Sequence, residues 1–502
     1  MSGIFAMTGS IADGEVREVL KSMHHRGPDE GDEIILDSFH LAHQRLSIVG
    51  VNKGKQPIAN ADNTKWIVAD GEIYNYLDLK KQISDKTIFL TESDAEVPLK
   101  LYEQQGSKAV KHLDGMFAFV IVDTENDTFL AARDTLGSKP LYYGENDAGN
   151  MIFASELKAL YKVTEDVNEF PSGSYYTPEE GFVMYREIQQ PDSLEIFSES
   201  ELPQMMDGIR HHLESAVQKH LTADVEVGVL LSGGLDSSLI ALLAQENRKR
   251  KEPLKSFCVG SADSEDVKRA RQVAKEIGSV HEEYIFDEKD MIDHLPEVIY
   301  HLESFDSSLV RSAIPSYFVS RLAAEHGVKV ILSGEGADEL FSGYQYLKGI
   351  NNTEKLNQEL VRIINTMHNI NLQRGDRMSM AHSVELRVPF LDLEFIEYAL
   401  KIPAELKLNA AQIEKWILRK AYDGRLSDNI IWRDKAEFSE GSGALDILES
   451  YAEGKFSDGE LNRANAENEW VRSKQELLYY NIFKKYFPQQ SVLATVGHWA
   501  TV

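Results

Sequence analysis

Residues 227–238 read Val-Gly-Val-Leu-Leu-Ser-Gly-Gly-Leu-Asp-Ser-Ser, a buried strand that runs into a glycine and hydroxyl turn and then into a helix ending near Gln245. A junction of this kind can hold a pyrophosphate. Gly233 and Gly234 let the backbone turn sharply and approach a ligand, while Ser232, Ser237, Ser238 and the N–H groups opening the helix can donate to phosphate oxygens. Asp236 suits an anion site only if a Mg²⁺ stands between it and the phosphates. The plain alternative is an ordinary strand-to-helix turn with an Asp or Ser cap.

The surroundings of this junction predict a parallel sheet. Beyond about residue 202, apolar strands at 225–231, 254–259, 282–286 and 328–332 alternate with helical segments ending near 245, 277 and 324. That alternation describes a sheet wound with helices on both faces, where ligands sit at the carboxyl ends of strands. Ser232 and Ser333 both stand at such ends. Residues 340–487 read as mainly helical with charged faces, an extension packed on the sheet. Before residue 186, short β-rich runs prevail at 33–36, 65–68, 117–122, 128–132 and 151–154, with helices at 15–23 and 94–105. Residues 187–203 lose periodicity and gain polar residues, so the expected organisation is a first domain over 1–186, a linker over 187–203 and a second domain over 204–502.

Bulk properties exclude several function classes. A chain of 502 residues exceeds a single hydrophobic core. Its 53 Lys+Arg against 81 Asp+Glu, a formal net charge of -28, disfavour a nucleic-acid partner, whose phosphates must be neutralised by Lys and Arg. The basic run 248–251 follows a predicted helix, where cations complement the C-terminal dipole. One cysteine, Cys258, leaves no internal disulfide and no cysteine-based zinc cluster, which fits a reducing compartment and makes the cytoplasm the expected location. No apolar stretch approaches the ~18 residues of a membrane span, and the N terminus carries no signal pattern.

The second strand end, 333–339, reads Ser-Gly-Glu-Gly-Ala-Asp-Glu. It meets a dinucleotide fingerprint only in part, because Glu339 stands where the last glycine belongs. Its carboxylates give it another meaning. If Asp338 shares a Mg²⁺ with Asp236, one metal joins the two strand ends and holds ATP phosphates. Glu335 then lies close to the attacking or leaving group as a candidate general base. The alternative is a solvated acidic cluster at a sheet edge. Arg311 and Lys435 suit charge at a phosphorus transition state by their chemistry, although most such residues are surface charges.

Several blocks in order carry a resemblance. Residues 232–238, 333–339, Arg-Met-Ser-Met-Ala-His at 377–382, Val-Glu-Leu-Arg-Val-Pro-Phe-Leu-Asp at 384–392 and 435–441 resemble the synthetase domain of B-type asparagine synthetases. His-Arg-Gly-Pro-Asp at 25–29, 41–47, Gly-Glu-Ile-Tyr-Asn at 71–75, Ser93-Asp94, 114–118, Arg133-Asp134 and 153–156 resemble that family's glutaminase domain. The resemblance implies an α+β Ntn-hydrolase-like sandwich, a type-2 glutamine amidotransferase domain, followed by an α/β adenine-nucleotide alpha-hydrolase-like (PP-loop) ATP-pyrophosphatase domain with a helical C-terminal extension. It implies an AMP-forming ligase in which aspartate's side-chain carboxylate attacks the α-phosphorus of ATP and ammonia then displaces AMP. Carried over by position, Ser232, Gly233, Gly234, Leu235, Asp236, Ser237 and Ser238 hold pyrophosphate, and Asp236 and Asp338 ligate Mg²⁺. Leu230, Val259, Ser333 and Gly334 belong to the nucleotide site, Arg311 and Lys435 stabilise charge at phosphorus, and Glu335 assists the attacking ammonia. Ser308 stands where the family usually has Thr, and Leu309 replaces the next Thr, which bears on the choice of acceptor. A homodimer is an open expectation.

The glutaminase half departs from the family at two places. Ser2 stands where the family has the nucleophilic cysteine, and a hydroxyl is a far poorer nucleophile at neutral pH. Asp70 stands where the family's Asn donates to the oxyanion, and a carboxylate cannot donate there. An engineered change accounts for Ser2 but not for Asp70. Arg45, Gly71, Glu72 and Asp94, which resemble the glutamine-holding residues, are present. The expected reaction is therefore asparagine synthesis from free ammonia with a degenerate glutaminase. Two alternatives stay open: an adenylating amide synthetase acting on another carboxylate or forming an intramolecular amide, and a non-catalytic regulatory pseudoenzyme.

Overall fold

The computed structural model describes residues 2–83, 87–191, 199–433 and 445–498. Lys435 lies outside these residues.

Alternation of apolar side chains along Ser2–Thr8 decides the first domain. Ile4 and Ala6 face one way, Phe5 and Met7 the other, and all four are buried, so this strand has packed layers on both sides. It is central in a six-stranded antiparallel sheet ordered Asn168–Glu169, Tyr142–Glu145, Met151–Ala154, Ser2–Thr8, Phe39–Arg45, Glu30–Leu36. A second six-stranded sheet runs Gly181–Met184, Ser174–Thr177, Thr128–Arg133, Gly115–Asp123, Lys65–Ile73, Ile58–Ala59. Ile4, Leu41 and Phe153 of the first meet Val68, Ala118 and Val120 of the second in one core. Full burial of each Ile, Leu, Val or Phe side chain among them stabilises the sandwich by about 1.5–3 kcal/mol. Outside the sheets, Phe117, Phe119 and Ile121 pack against helix Glu96–Gln105, while Phe5 and Met7 pack against helix Asp13–Ser22. The result is the α+β sandwich that the sequence led us to expect.

In the second domain five parallel strands run in the order Val280–Ile285, Lys255–Gly260, Val227–Leu230, Val330–Leu332, Glu385–Arg387. The chain progresses outward in one direction from Val227–Leu230 and then restarts on its other side at Val330–Leu332. A topological switch point therefore lies between these two strands, and an open α/β sheet has its crevice there, beyond their carboxyl ends. The fifth strand adds to the sequence reading, which took residues 340–487 as mainly helical and named no strand there. Glu385–Arg387 is only three residues long and two of them are charged, so it has no apolar signature. Its charges are buried because each finds a partner.

Those partners belong to a buried ionic layer between the domains. Arg26 meets Asp70 at 2.8 Å, Glu156 at 3.0 Å and Asp376 at 2.7 Å. Lys139 also reaches Asp376 at 3.0 Å, and Glu303 joins Lys158 at 3.0 Å to Arg377 at 2.9 Å. Farther along, Arg387 pairs with Glu385 and lies 3.5 Å from Glu72. Burial alone would raise the Asp376 carboxyl, but Arg26 and Lys139 reverse this and hold it well below the ordinary range. No helix among the described residues is long and apolar enough to cross a membrane.

Candidate active site

The turn after Val227–Leu230 is shaped by close approach. Gly233 adopts φ 70°, and a Cβ there would fall 2.6 Å from the Ala270 backbone nitrogen. Both its conformation and its neighbour require glycine. Ser232 N–H donates to Ser237 Oγ at 3.2 Å, the two hydroxyl oxygens are 3.0 Å apart, and helix Leu235–Asn247 begins immediately after Gly234. Ser238 Oγ is buried with no hydrogen-bond partner among the described residues. This is a hydroxyl-lined concavity at a helix start, with the donors an anion needs.

The second strand end closes against it. A Cβ on Gly334 would lie 2.7 Å from Ser237 N and 2.8 Å from the Asp236 carbonyl carbon, so the turns after the two strands touch backbone to backbone. Ser333 N–H donates to the Arg387 carbonyl at 2.9 Å, and Glu335 N–H to Ser333 Oγ at 3.2 Å. The Asp236 and Asp338 carboxylates are brought to a common cation, the ammonium of Lys415, at 2.5 and 2.6 Å. Burial would lower that amine, but Asp236 and Asp338 outweigh it and hold Lys415 above the ordinary lysine range. Two carboxylates that converge on one cation form a donor set suited to Mg²⁺, which binds through one or two carboxylates and completes its shell with phosphates and water. Among the described residues no third His, Cys, Asp or Glu joins them.

The other expected residues fall into distinct places. Glu335 forms an ion pair with the largely buried Arg374. The neighbouring Glu339 is fully buried, accepts from Asn371 at 2.9 Å and faces the Tyr344 hydroxyl at 2.5 Å. Burial first, then Asp338, pushes Glu339 up to about 7. Arg311 lies one turn along helix Ser307–Glu325 from Ser308, 3.4 Å from its hydroxyl, and 3.4 Å from Gln475 of helix Lys474–Tyr486. Asp306 caps that helix through the Ser308 and Leu309 N–H groups. Leu230 and Val259 sit on adjacent parallel strands, facing Phe257 and Tyr284 in register. Sequence reasoning missed Lys415, Arg374 and Arg433, the last paired with Asp266 at 2.8 Å and directed at the Gly233 carbonyl at 3.4 Å. Nothing in their local spacing marks them, since they lie between 36 and 200 positions from Gly233, Asp236, Glu335 and Asp338 along the chain.

The chain matches two families, glutamine amidotransferase domain over residues 1–191 and asparagine synthase over residues 208–353 and 348–492. It is 38% identical over 95% of its length to 89% of the glutamine-hydrolyzing asparagine synthetase B of Escherichia coli. The chain belongs to the asparagine synthetase family. Plant members match as fully: the glutamine-hydrolyzing asparagine synthetase 2 of Arabidopsis thaliana is 38% identical over 99% of this chain and 89% of its own, and that of Zea mays 39% over 99% and 88%.

In this asparagine synthetase family member Ser2 and Asp70 lie together at the amidotransferase end. Ser2 is buried and sits opposite Arg45 in the antiparallel register. Its backbone N–H donates to Asp70 Oδ1 at 2.7 Å, and its carbonyl accepts from Arg26 Nε at 2.9 Å. The second Asp70 oxygen accepts from Arg26 Nη2 at 2.8 Å. Gly71, at φ 123°, leaves no room for a Cβ, which would lie 2.0 Å from the Met116 carbonyl oxygen. Arg45 is fixed by Glu30 at 2.8 Å and the Gly50 carbonyl at 2.9 Å. Asp94 accepts from Ile73 N–H at 2.8 Å. Burial raises the Asp94 carboxyl, and burial followed by the Asp94 charge holds Glu72 well above its ordinary range. Two such carboxyls favour a positively charged group beside them.

Proposed function

We propose that this family member makes asparagine from aspartate, ATP and free ammonia. The observation that carries the reading is the convergence of the 232–238 and 333–339 turns on one cation at the switch point, with a hydroxyl-lined concavity beside it. In this reading the aspartate side-chain carboxylate attacks the α-phosphorus, the bond to pyrophosphate breaks, and β-aspartyl-AMP forms. Ammonia then attacks the acyl carbon, loses a proton and expels AMP.

Each residue has a part in that proposal. Ser232, Ser237, Ser238 and the helix-start N–H groups hold the departing pyrophosphate. Asp236 and Asp338 would hold Mg²⁺, whose charge offsets that of the phosphates. Leu230, Val259 and Gly334 enclose the adenosine, and Arg311 with Lys435 offsets charge developing at phosphorus. Glu335, oriented by Arg374, takes the proton that ammonia loses. Ser308, beside Arg311, faces the acceptor acid.

Ammonia as the nitrogen source is supported by the amidotransferase end. There the residue at the oxyanion position is an acceptor already engaged by Ser2 and Arg26. A negative oxygen would be repelled, not stabilised. Arg45, Glu72 and Asp94 still offer a cation and two carboxyls to an amino acid, so glutamine binding without hydrolysis fits this pocket. We further place the chain in the cytoplasm, with residues 187–203 as the linker between the first domain and the second.

Product analysis with ATP, Mg²⁺ and aspartate, offering ammonium or glutamine separately, tests this. Asparagine from ammonium alone is the expected result. Glutamate release from glutamine would overturn the ammonia assignment, and pyrophosphate exchange dependent on another acid but not on aspartate would replace the acceptor.

A further inference from the structure

Lys415 reaches its position through three separate pieces of chain. It has a left-handed backbone at φ 55°, its N–H donates to the Phe341 carbonyl at 3.0 Å, and it immediately precedes helix Trp416–Ala421. A Cβ on Gly343 would lie 2.4 Å from Lys415 Cε and 1.8 Å from Asp338 Oδ1. The lysine stem therefore passes through the space that glycine leaves. Its ammonium ends 2.5 Å from Asp236 and 2.6 Å from Asp338, and its side chain is only 3% exposed.

Two carboxylates brought together from different strand ends repel each other unless a cation joins them. Lys415 supplies that cation before any ligand arrives. A bare divalent ion taking the same carboxylates would leave a buried ammonium without its anions, a strongly unfavourable arrangement. A triphosphate changes the balance because it brings anionic oxygens to the same crevice. The ammonium can move from carboxylate to phosphate oxygen as the metal takes its place.

We propose that Lys415 is an internal counter-cation that holds the Asp236 and Asp338 pair together and admits a divalent metal only in company with the nucleotide triphosphate. This rests on the reading of that crevice as the ATP site. It makes Lys415 a positioning residue, with metal and nucleotide binding thermodynamically coupled through it.

The test is Mn²⁺ binding to the full chain, followed by the loss of the free-ion paramagnetic signal, with and without α,β-methylene-ATP. The wild type is expected to bind Mn²⁺ at least tenfold more tightly with the nucleotide than without it. Lys415→Met is expected to bind Mn²⁺ alone at least tenfold more tightly than the wild type and to lose the coupling, while Lys415→Arg retains it. Gly343→Ala, whose Cβ would press on both Lys415 Cε and Asp338 Oδ1 while removing neither charge, is expected to weaken the coupling and provides a second variant should Lys415→Met not fold. Equal wild-type affinity with and without nucleotide overturns the proposal, and so does unchanged coupling in Lys415→Met or Gly343→Ala. Aspartate-dependent exchange of pyrophosphate into ATP is measured in parallel on the wild type. Coupling without exchange overturns the assigned reaction and supports the role of Lys415; exchange without coupling does the reverse.

Discussion

Asp70 accepts the Ser2 backbone N–H at 2.7 Å through one oxygen and the Arg26 guanidinium at 2.8 Å through the other. The same guanidinium continues to Glu156 and Asp376, so a position that would serve nitrogen release is tied into the seam between the domains. Two properties are therefore joined at one carboxylate: under the proposed function it is an acceptor where glutamine hydrolysis would need a donor, and it is a counter-charge for a fully buried cation.

Under the proposed function, restoring glutamine use requires two changes. Ser2→Cys alone supplies a nucleophile but leaves the oxyanion unassisted, and loss of one such donor costs about 10² to 10³ in rate. Ser2→Cys/Asp70→Asn is expected to release glutamate from glutamine faster than Ser2→Cys by about that factor. Glutamate assays on purified single and double variants decide it, and equal rates would show that Asp70 has no part in the deficit.

Glu335→Gln should separate the two half-reactions. General-base catalysis typically contributes about 10²- to 10⁴-fold, so asparagine formation at saturating ammonium should fall by about that range. Aspartate-dependent pyrophosphate exchange, which precedes ammonia attack, should stay near the wild-type rate. A matching loss in exchange would move Glu335 to the adenylation step.

Lys407 gives a pH dependence of stability unrelated to the reaction. It is fully buried with no hydrogen-bond partner for its amine among the described residues, and burial lowers its pKa to about 7. The unfolded chain binds this proton below about pH 10.4 while the folded chain does not until about pH 7. Folding stability from this group therefore rises with pH across that window, by at most about 1.4 kcal/mol per pH unit. Urea unfolding at pH 7, 8 and 9 should show the rise, and Lys407→Met should be flatter and more stable at pH 7. A slope unchanged by Lys407→Met would exclude the amine as its source.

Asp376→Asn should be costly at neutral pH. Arg26, Lys139 and Arg377 all approach this carboxylate, at 2.7, 3.0 and 3.3 Å. Removing one member of a buried ionic group typically costs about 3–5 kcal/mol. Because the folded Asp376 is held below its unfolded pKa, its contribution is present above that value, near pH 3.9, and is lost as the pH falls. The gap between the variant and the wild type should therefore begin to narrow only below about pH 3.9, which denaturant midpoints at pH 7, 3.5 and 2.5 would reveal.

What the sequence disclosed follows from local pattern. The β-rich run at 117–122 and the strand, turn and helix succession around Gly233 are written in neighbouring residues, and the structure repeats them. Asp236 and Asp338 could be paired in advance because both stand just past strand ends. Lys415 could not, since its place depends on a left-handed residue and on the space left by Gly343. The strand Glu385–Arg387 was hidden for a related reason: its burial is made possible by ionic partners, among them Glu72 of the other domain, and not by apolar residues of its own.

The seam around Arg26 also limits what can be removed from this protein. Separating the halves would leave Asp376, Glu303, Arg377 and Arg387 on a newly bared face, each deprived of partners contributed by Arg26, Lys139, Lys158, Glu156 or Glu72. The first domain thus serves as a foundation for the sheet beside it, and the second domain produced alone is expected to be less stable than it is in the full chain.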